Sequence, residues 1–303
     1  MLAYGTSADQ LDDLTRMSES TTLNNLQHFC NAIINRYGKE YLRAPTKEDL
    51  EMILRLHEGK GWPGLLGSLD VMHWEWKNCP KAHRGAYQGK EGVATITLEA
   101  AVDCRLWFWH AWFGMPRANN DLNILDRSPF FHDLSAGRTP KVQFAINNQQ
   151  HNLGYYLVDG IYPNWHIFVK TISEPQGPKR SYFSMRQEAQ RKDVERAFGV
   201  LQARWRILAL PCKLWSVGDM NSVIIACIIL HNMMIKDKWE TENTNEYLFD
   251  NIQDGFLVDN VNPDNVHTFL DFKNIRMNYM SEGEHFQLRN NLIEHLWIQN
   301  ENK

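Results

Sequence analysis

A chain of 303 residues is long enough for one large or two ordinary domains, and with 43% hydrophobic and 22% charged residues it can bury a sizeable core. Its net charge of -4 does not mark a nucleic-acid-binding protein, and five scattered cysteines (30, 79, 104, 212, 227) without a CxxC pair indicate neither a disulfide framework nor a zinc site. No run approaches the roughly 18 to 20 apolar residues of a membrane helix, and MLAYGTSADQLDD lacks the basic start and apolar core of a secretory signal, so a reducing compartment is the default and no membrane is expected.

Residues 1–60 are expected to be helical. Ser7 and Gln10 suit a capping box for a short helix through Arg16. Leu23, Leu26, Phe29, Cys30, Ile33 and Ile34 recur at helical spacing up to Gly38. Thr46 with Asp49 opens a third helix, with Leu50, Ile53, Leu54 and His57 on one side. This order is compatible with a helix-turn-helix and equally with a helical bundle capping the main domain.

After GWPG the periodicity changes. Strands are expected at Leu65–Met72, Val93–Val102 and Leu106–Phe113, the last two joined by a tight hairpin at Asp103–Arg105. A helix capped by Asn120 or Asp121 is expected over 119–125, then short strands at Tyr155–Val158 and His166–Lys170. Pro175–Arg180 looks like a loop, and long helices follow at Ser184–Ile207 and Met220–Ile235. The acidic, Asn-rich stretch 237–264 is expected to be flexible, before a last helix over Glu284–Trp297. The elements imply a mixed α/β sheet covered by helices.

Three carboxylates stand out. Asp70 lies inside the apolar run LLGSLDVMHW, where a buried acid is costly without a partner or a metal. Asp159 ends the short strand of YYLVDGIYP, and strand carboxyl ends are where open α/β sheets bind ligands. Glu195 borders the stripe Val194, Phe198, Leu201, Trp205 of a long helix, where an ordinary ion pair with Arg191 or Arg196 is the competing account. Hard divalent cations take such oxygen ligands, and two of them can drive phosphodiester chemistry.

Charge is unevenly spread. Lys/Arg exceed Asp/Glu by six over 170–213, whereas acids exceed bases by seven over 236–303. Lys170, Lys179, Arg180, Arg186, Arg191 and Lys192 are candidates for DNA-phosphate contacts, with a solvated face as the equal alternative. Lys77, with His73 and Glu75, is a further candidate, against a rigid aromatic loop packing Trp74 and Trp76. His231 and Asn232 fit a satisfied buried polar pair.

The segments LAYGTSADQLDD, YLRAPT, GWPGLLGSLDVMHWEWKNCP, NNDLNIL, YYLVDGIYP, RKDVERAFGVLQARWRIL and IIACIILHNMMI together resemble the PIF/Harbinger class of transposases, in particular its plant branch. The resemblance implies a ribonuclease-H-like nuclease core over 61–236, with Asp70, Asp159 and Glu195 as its catalytic and metal-binding triad for Mg²⁺ or Mn²⁺, nominally two ions. It implies cutting of DNA at terminal inverted repeats, joining to target DNA, a separately encoded Myb-like partner that binds the ends, and nuclear residence. A homo-oligomer is compatible with it. Family members carry more sequence ahead of LAYG, so 1–60 is expected to be a shortened DNA-binding region and 237–303 an acidic tail. The alternative is a domesticated, catalytically silent protein that serves as an interaction or chromatin module.

Overall fold

The computed structural model describes residues 1–89, 92–116, 127–135, 142–242, 256–258, 277 and 279–302. A 3-10 turn at Asp9–Leu11 leads into α1 (Asp12–Thr15), followed by α2 (Glu19–Tyr41) and α3 (Lys47–Gly59). Of the box anticipated at the first helix, Gln10 accepts from the Ser7 amide, but no side chain caps the turn itself. The box at α3 is complete: the Thr46 hydroxyl accepts from the Asp49 amide, and Asp49 accepts from the Thr46 amide. Leu50, Ile53, Leu54 and His57 are all buried along one side of that helix.

The main sheet has five strands in the order β3 (Phe108–Pro116), β2 (Thr95–Val102), β1 (Leu65–Glu75), β6 (Tyr155–Val158) and β7 (Phe168–Lys170). Only β2 runs against the other four. Every residue of β2 is buried, as a central strand covered on both faces requires. The β2–β3 connection is tight. Asp103, fully buried, accepts from the Arg105 and Trp107 amides and the Trp109 indole, and pairs with Arg105.

A second sheet was absent from the sequence reading. It orders β5 (Gln149–His151), β4 (Val142–Ile146) and β8 (Phe256–Val258), all antiparallel. Also unanticipated are α4 (Lys81–Tyr87) and α5 (Pro129–Ser135). The long helices are α6 (Pro178–Arg204), α7 (Val217–Glu242) and α8 (Glu282–Glu301). Of the loop expected over Pro175–Arg180, residues 178–180 are instead the first turn of α6. Pro178 occupies a first-turn position, where its missing N–H costs no hydrogen bond. The helix expected at 119–125, with Asn120 or Asp121 as its cap, lies outside the described residues. Of the stretch 237–264, residues up to Glu242 extend α7 and Phe256–Val258 forms β8, with Phe256 and Val258 buried opposite Phe144 and Val142.

Three apolar clusters hold these layers together. Met72, Trp74, Ile96, Leu98 and Val102 on one sheet face pack with Leu26 and Cys30 of α2, Val194, Ala197, Phe198 and Leu201 of α6, and Met220 to Ile228 of α7. On the other face Leu69, Ala101, Val158 and Phe168 meet Phe131, Tyr162 and Tyr279. The third cluster joins Leu50, Ile53 and Leu54 of α3, the starts of β1 and β6, the second sheet, and Leu288, Leu292 and Leu296 of α8. Gly64 (φ +77°) is required there: a Cβ at this position would lie 2.3 Å from the Phe144 ring. No helix-turn-helix is shown, because α2 lies along α7 and α3 lies against β1 and β8. By length and composition α7 could cross a membrane, yet its apolar side chains fill this core.

The buried pair His231–Asn232 on α7 is fully used. His231 Nε2 donates to the Leu106 carbonyl at 2.9 Å while Nδ1 accepts from Arg204, and burial pushes its pKa down to about 4. The Asn232 carboxamide accepts from the Phe108 amide and donates to the Phe108 and Tyr41 carbonyls. It therefore serves the end of β3 as a neighbouring strand would. Asn232→Ala removes two hydrogen bonds from the buried Phe108 backbone and one from the part-buried Tyr41 carbonyl, and urea denaturation is expected to show a loss of about 3 kcal/mol.

Candidate active site

The site is assembled where β1, β6 and α6 meet. β1 and β6 are parallel neighbours whose pairing ends with Ser68 across from Leu157, and Asp70 and Asp159 each follow two residues beyond that pair. Asp159 directly follows β6, and its carboxylate accepts from the Gly160 amide at 2.6 Å. Lys170 Nζ donates to the carbonyls of Gly160 and Tyr162, at 3.3 and 2.7 Å, and so pins the turn that carries Asp159. Burial lowers the Lys170 pKa, and two of its ammonium hydrogens go to that turn.

α6 is laid across the strand ends by its own polar residues. The buried Gln187 carboxamide donates to the carbonyls of Val158 and Val169, at 3.1 and 3.0 Å, and Ser68 donates to the Gln190 carbonyl. One and two helical turns beyond Gln187 on the same row come Arg191 and Glu195. Arg191 joins the acids: one guanidinium nitrogen is 3.3 Å from Asp70 Oδ2 and the other 2.9 Å from Glu195 Oε1. The side chains of Asp70, Arg191 and Glu195 are 23%, 16% and 45% exposed, so the cluster opens to solvent on the Glu195 side. The ion pair weighed against a functional Glu195 is present, and its partner also holds Asp70.

Electrostatics mark Asp70. Burial raises its pKa to about 6; the Val71 amide and Arg191 pull it down, whereas the charges of Glu195 and Asp159 push it up. Asp159 and Glu195 thus both lie within electrostatic reach of Asp70. Among the described residues no group of three or more His, Cys, Asp or Glu side chains forms a ready-made metal cage.

The remaining candidates do not converge on the triad. Lys179 is paired with Glu294, Arg186 donates to Tyr182 and the Lys60 carbonyl, and Lys77, Arg180 and Lys192 are exposed. An open groove of about 690 Å³ borders α6 at Arg186, Gln190 and Arg196, and none of the three acids lines it. Trp74 and Trp76 are buried, with their indoles bonded to the carbonyls of Leu210 and Leu214; the segment carrying His73, Glu75 and Lys77 is therefore a packed aromatic ribbon. Gln187 and Lys170 are the positioning residues that sequence reasoning missed or assigned elsewhere. The row Gln187, Arg191, Glu195 at intervals of four was the available signal.

Comparison with known proteins defines the class. The family model described as plant transposon protein matches residues 39–242, and the chain belongs to that family, a plant Harbinger-derived group of transposases. Among its relatives are two proteins of Arabidopsis thaliana. Protein ALP1-like is 24% identical over 77% of this chain and 58% of its own length. Protein Antagonist of Like Heterochromatin Protein 1 is 25% identical over 77% of this chain and 60% of its own. The chain thus spans about three-fifths of the length of these relatives. No solved structure matches it.

The raised Asp70 pKa has a stability consequence. An acid with a folded pKa near 6 against 3.8 unfolded favours the fold below about pH 4, and that contribution is lost as pH rises through 6. Asp70→Asn is therefore expected to stabilise the protein at pH 8 by about 1–3 kcal/mol, with the gain shrinking as pH falls from 6 towards 4. Urea midpoints of both proteins across that range measure it.

Proposed function

We propose that the chain carries a metal-dependent DNA endonuclease or transposase domain of ribonuclease-H-like fold, with Asp70, Asp159 and Glu195 as its triad. The observation that supports this reading is the neighbourhood of Asp70: Asp159 and Glu195 both act on its charge, and Arg191 joins it to Glu195. A five-stranded sheet with one reversed strand and a long helix over the strand ends supports the fold assignment. Membership in a transposase-derived family supports the reaction class.

The donor set fits hard divalent cations: three carboxylates, two of them in a cluster that already accommodates one cationic group. Asp70, Asp159 and Glu195 would hold Mg²⁺ or Mn²⁺, nominally two ions, whose chemistry is activation of water and stabilisation of the leaving oxygen of a phosphodiester. The protein's own part is positional. Lys170 fixes the Asp159 turn, Gln187 fixes the pitch of α6, and the exposed edge at Glu195 leaves room for a nucleic-acid strand. The substrates proposed are transposon terminal inverted repeats and target DNA, with a Myb-like partner for end recognition and the nucleus as the place of action. Arg180, Lys192 and Lys77 remain proposed phosphate contacts, being exposed cations.

A second reading draws on a relative named as an antagonist of like heterochromatin protein 1: a domesticated interaction module on the same scaffold. Activity separates the two. With Mg²⁺ or Mn²⁺ and the end-binding partner, the protein is expected to nick DNA carrying the cognate ends. Glu195→Gln should abolish that activity, a drop of at least about a hundredfold, with the melting temperature little changed. Cleavage that survives the substitution rejects the triad, and folded protein without any cleavage favours the interaction module.

A further inference from the structure

We propose that Arg191 is the resident counter-ion of the triad: it joins Asp70 to Glu195 in metal-free protein and competes with divalent cations for both carboxylates. The proposal rests on the reading of the triad as a metal site and adds a regulatory element to it. A guanidinium usually meets a single carboxylate with two parallel hydrogen bonds. Here the two terminal nitrogens are split between different acids on different elements, at 3.3 Å to Asp70 on β1 and 2.9 Å to Glu195 on α6. The side chain is only 16% exposed, and Glu195 is its i+4 neighbour, so the bridge is held by the helix as well as by charge.

Oxygens engaged by the guanidinium are the ones a metal at the triad needs. A divalent ion bound within a few ångströms of the arginine would also repel it, in surroundings where burial weakens solvent screening. Loading therefore requires Arg191 to withdraw from at least one acid. An arginine so released has at least one terminal nitrogen free, suited to a phosphate group. Metal and DNA phosphate would then each favour the other's binding, because both act through one side chain. Without metal, the same arginine spares the site the mutual repulsion of three adjacent carboxylates.

Mn²⁺ binding to the full chain, followed by electron paramagnetic resonance at pH 8 without DNA, tests the competition directly. Arg191→Gln is expected to bind Mn²⁺ roughly tenfold more tightly than the unchanged protein, within the usual range of coupling between two sites. Arg191→Lys, which keeps the charge but loses the fork, should fall between them. Equal or weaker binding by folded Arg191→Gln overturns the proposal. Glu195→Gln is the reference: if it binds Mn²⁺ as well as the unchanged protein, the triad reading itself fails and takes the proposal with it. Should Arg191→Gln not fold, the unchanged protein still decides. The side-chain Nε–H resonance of Arg191 is expected to move with the same Mg²⁺ midpoint as binding, and a resonance that stays in place while Mg²⁺ binds overturns the proposal.

Discussion

The geometry of the site depends on one buried carboxamide. Gln187 donates to the last carbonyl of β6 and to the carbonyl next to the end of β7. Those groups would otherwise face the apolar underside of α6 without a partner, at a cost of about 1–3 kcal/mol each. Once made, the two bonds allow α6 a single pitch and a single rotation over the strand ends. Val194, Phe198 and Leu201 then fall into the core, while Arg191 and Glu195 fall beside Asp70. Core packing and the placing of acidic groups are one decision here, taken by a residue wholly withdrawn from solvent.

The strands and helices around the acids were legible from periodicity. β1 and β6 were expected from their apolar runs, and α3 from its capping box and one-sided stripe. The hairpin at Asp103 follows from the short link between two apolar stretches, while its positive-φ residue, Leu106, carries no such signal. The second sheet escaped notice because its strands have only three to five residues and one of them, β8, comes from far along the chain. A cue was present all the same. Asn147 and Asn148 both adopt positive φ, the conformation that two-residue hairpins demand and that asparagine tolerates. α6 was cut short because Pro178 looks like a breaker, although proline is well suited to a first helical turn.

The site itself was only partly legible. A carboxylate in an apolar strand is conspicuous, and Asp70 and Asp159 could be picked out on cost alone. Glu195 could not, since an acid one turn from an arginine is ordinary helix surface, and the structure gives it that ion pair. What singles it out is the other hand of the arginine, which reaches a different strand. That is a tertiary fact, invisible to spacing. Lys170 shows the opposite pattern: a basic residue near the acids looks like a phosphate ligand, and its nitrogen donates to two backbone carbonyls.

The closing of the third apolar cluster by α8 bears on how the protein is made. Leu50, Ile53 and Leu54 wait for Leu288, Leu292 and Leu296, more than 230 positions later. During synthesis at about 5–20 residues per second, the starts of β1 and β6 stay uncovered for tens of seconds, an interval that invites chaperone capture or aggregation. A frameshift or early stop between α6 and α8 would thus silence a copy of the gene through proteostasis, with every residue of the proposed triad still encoded.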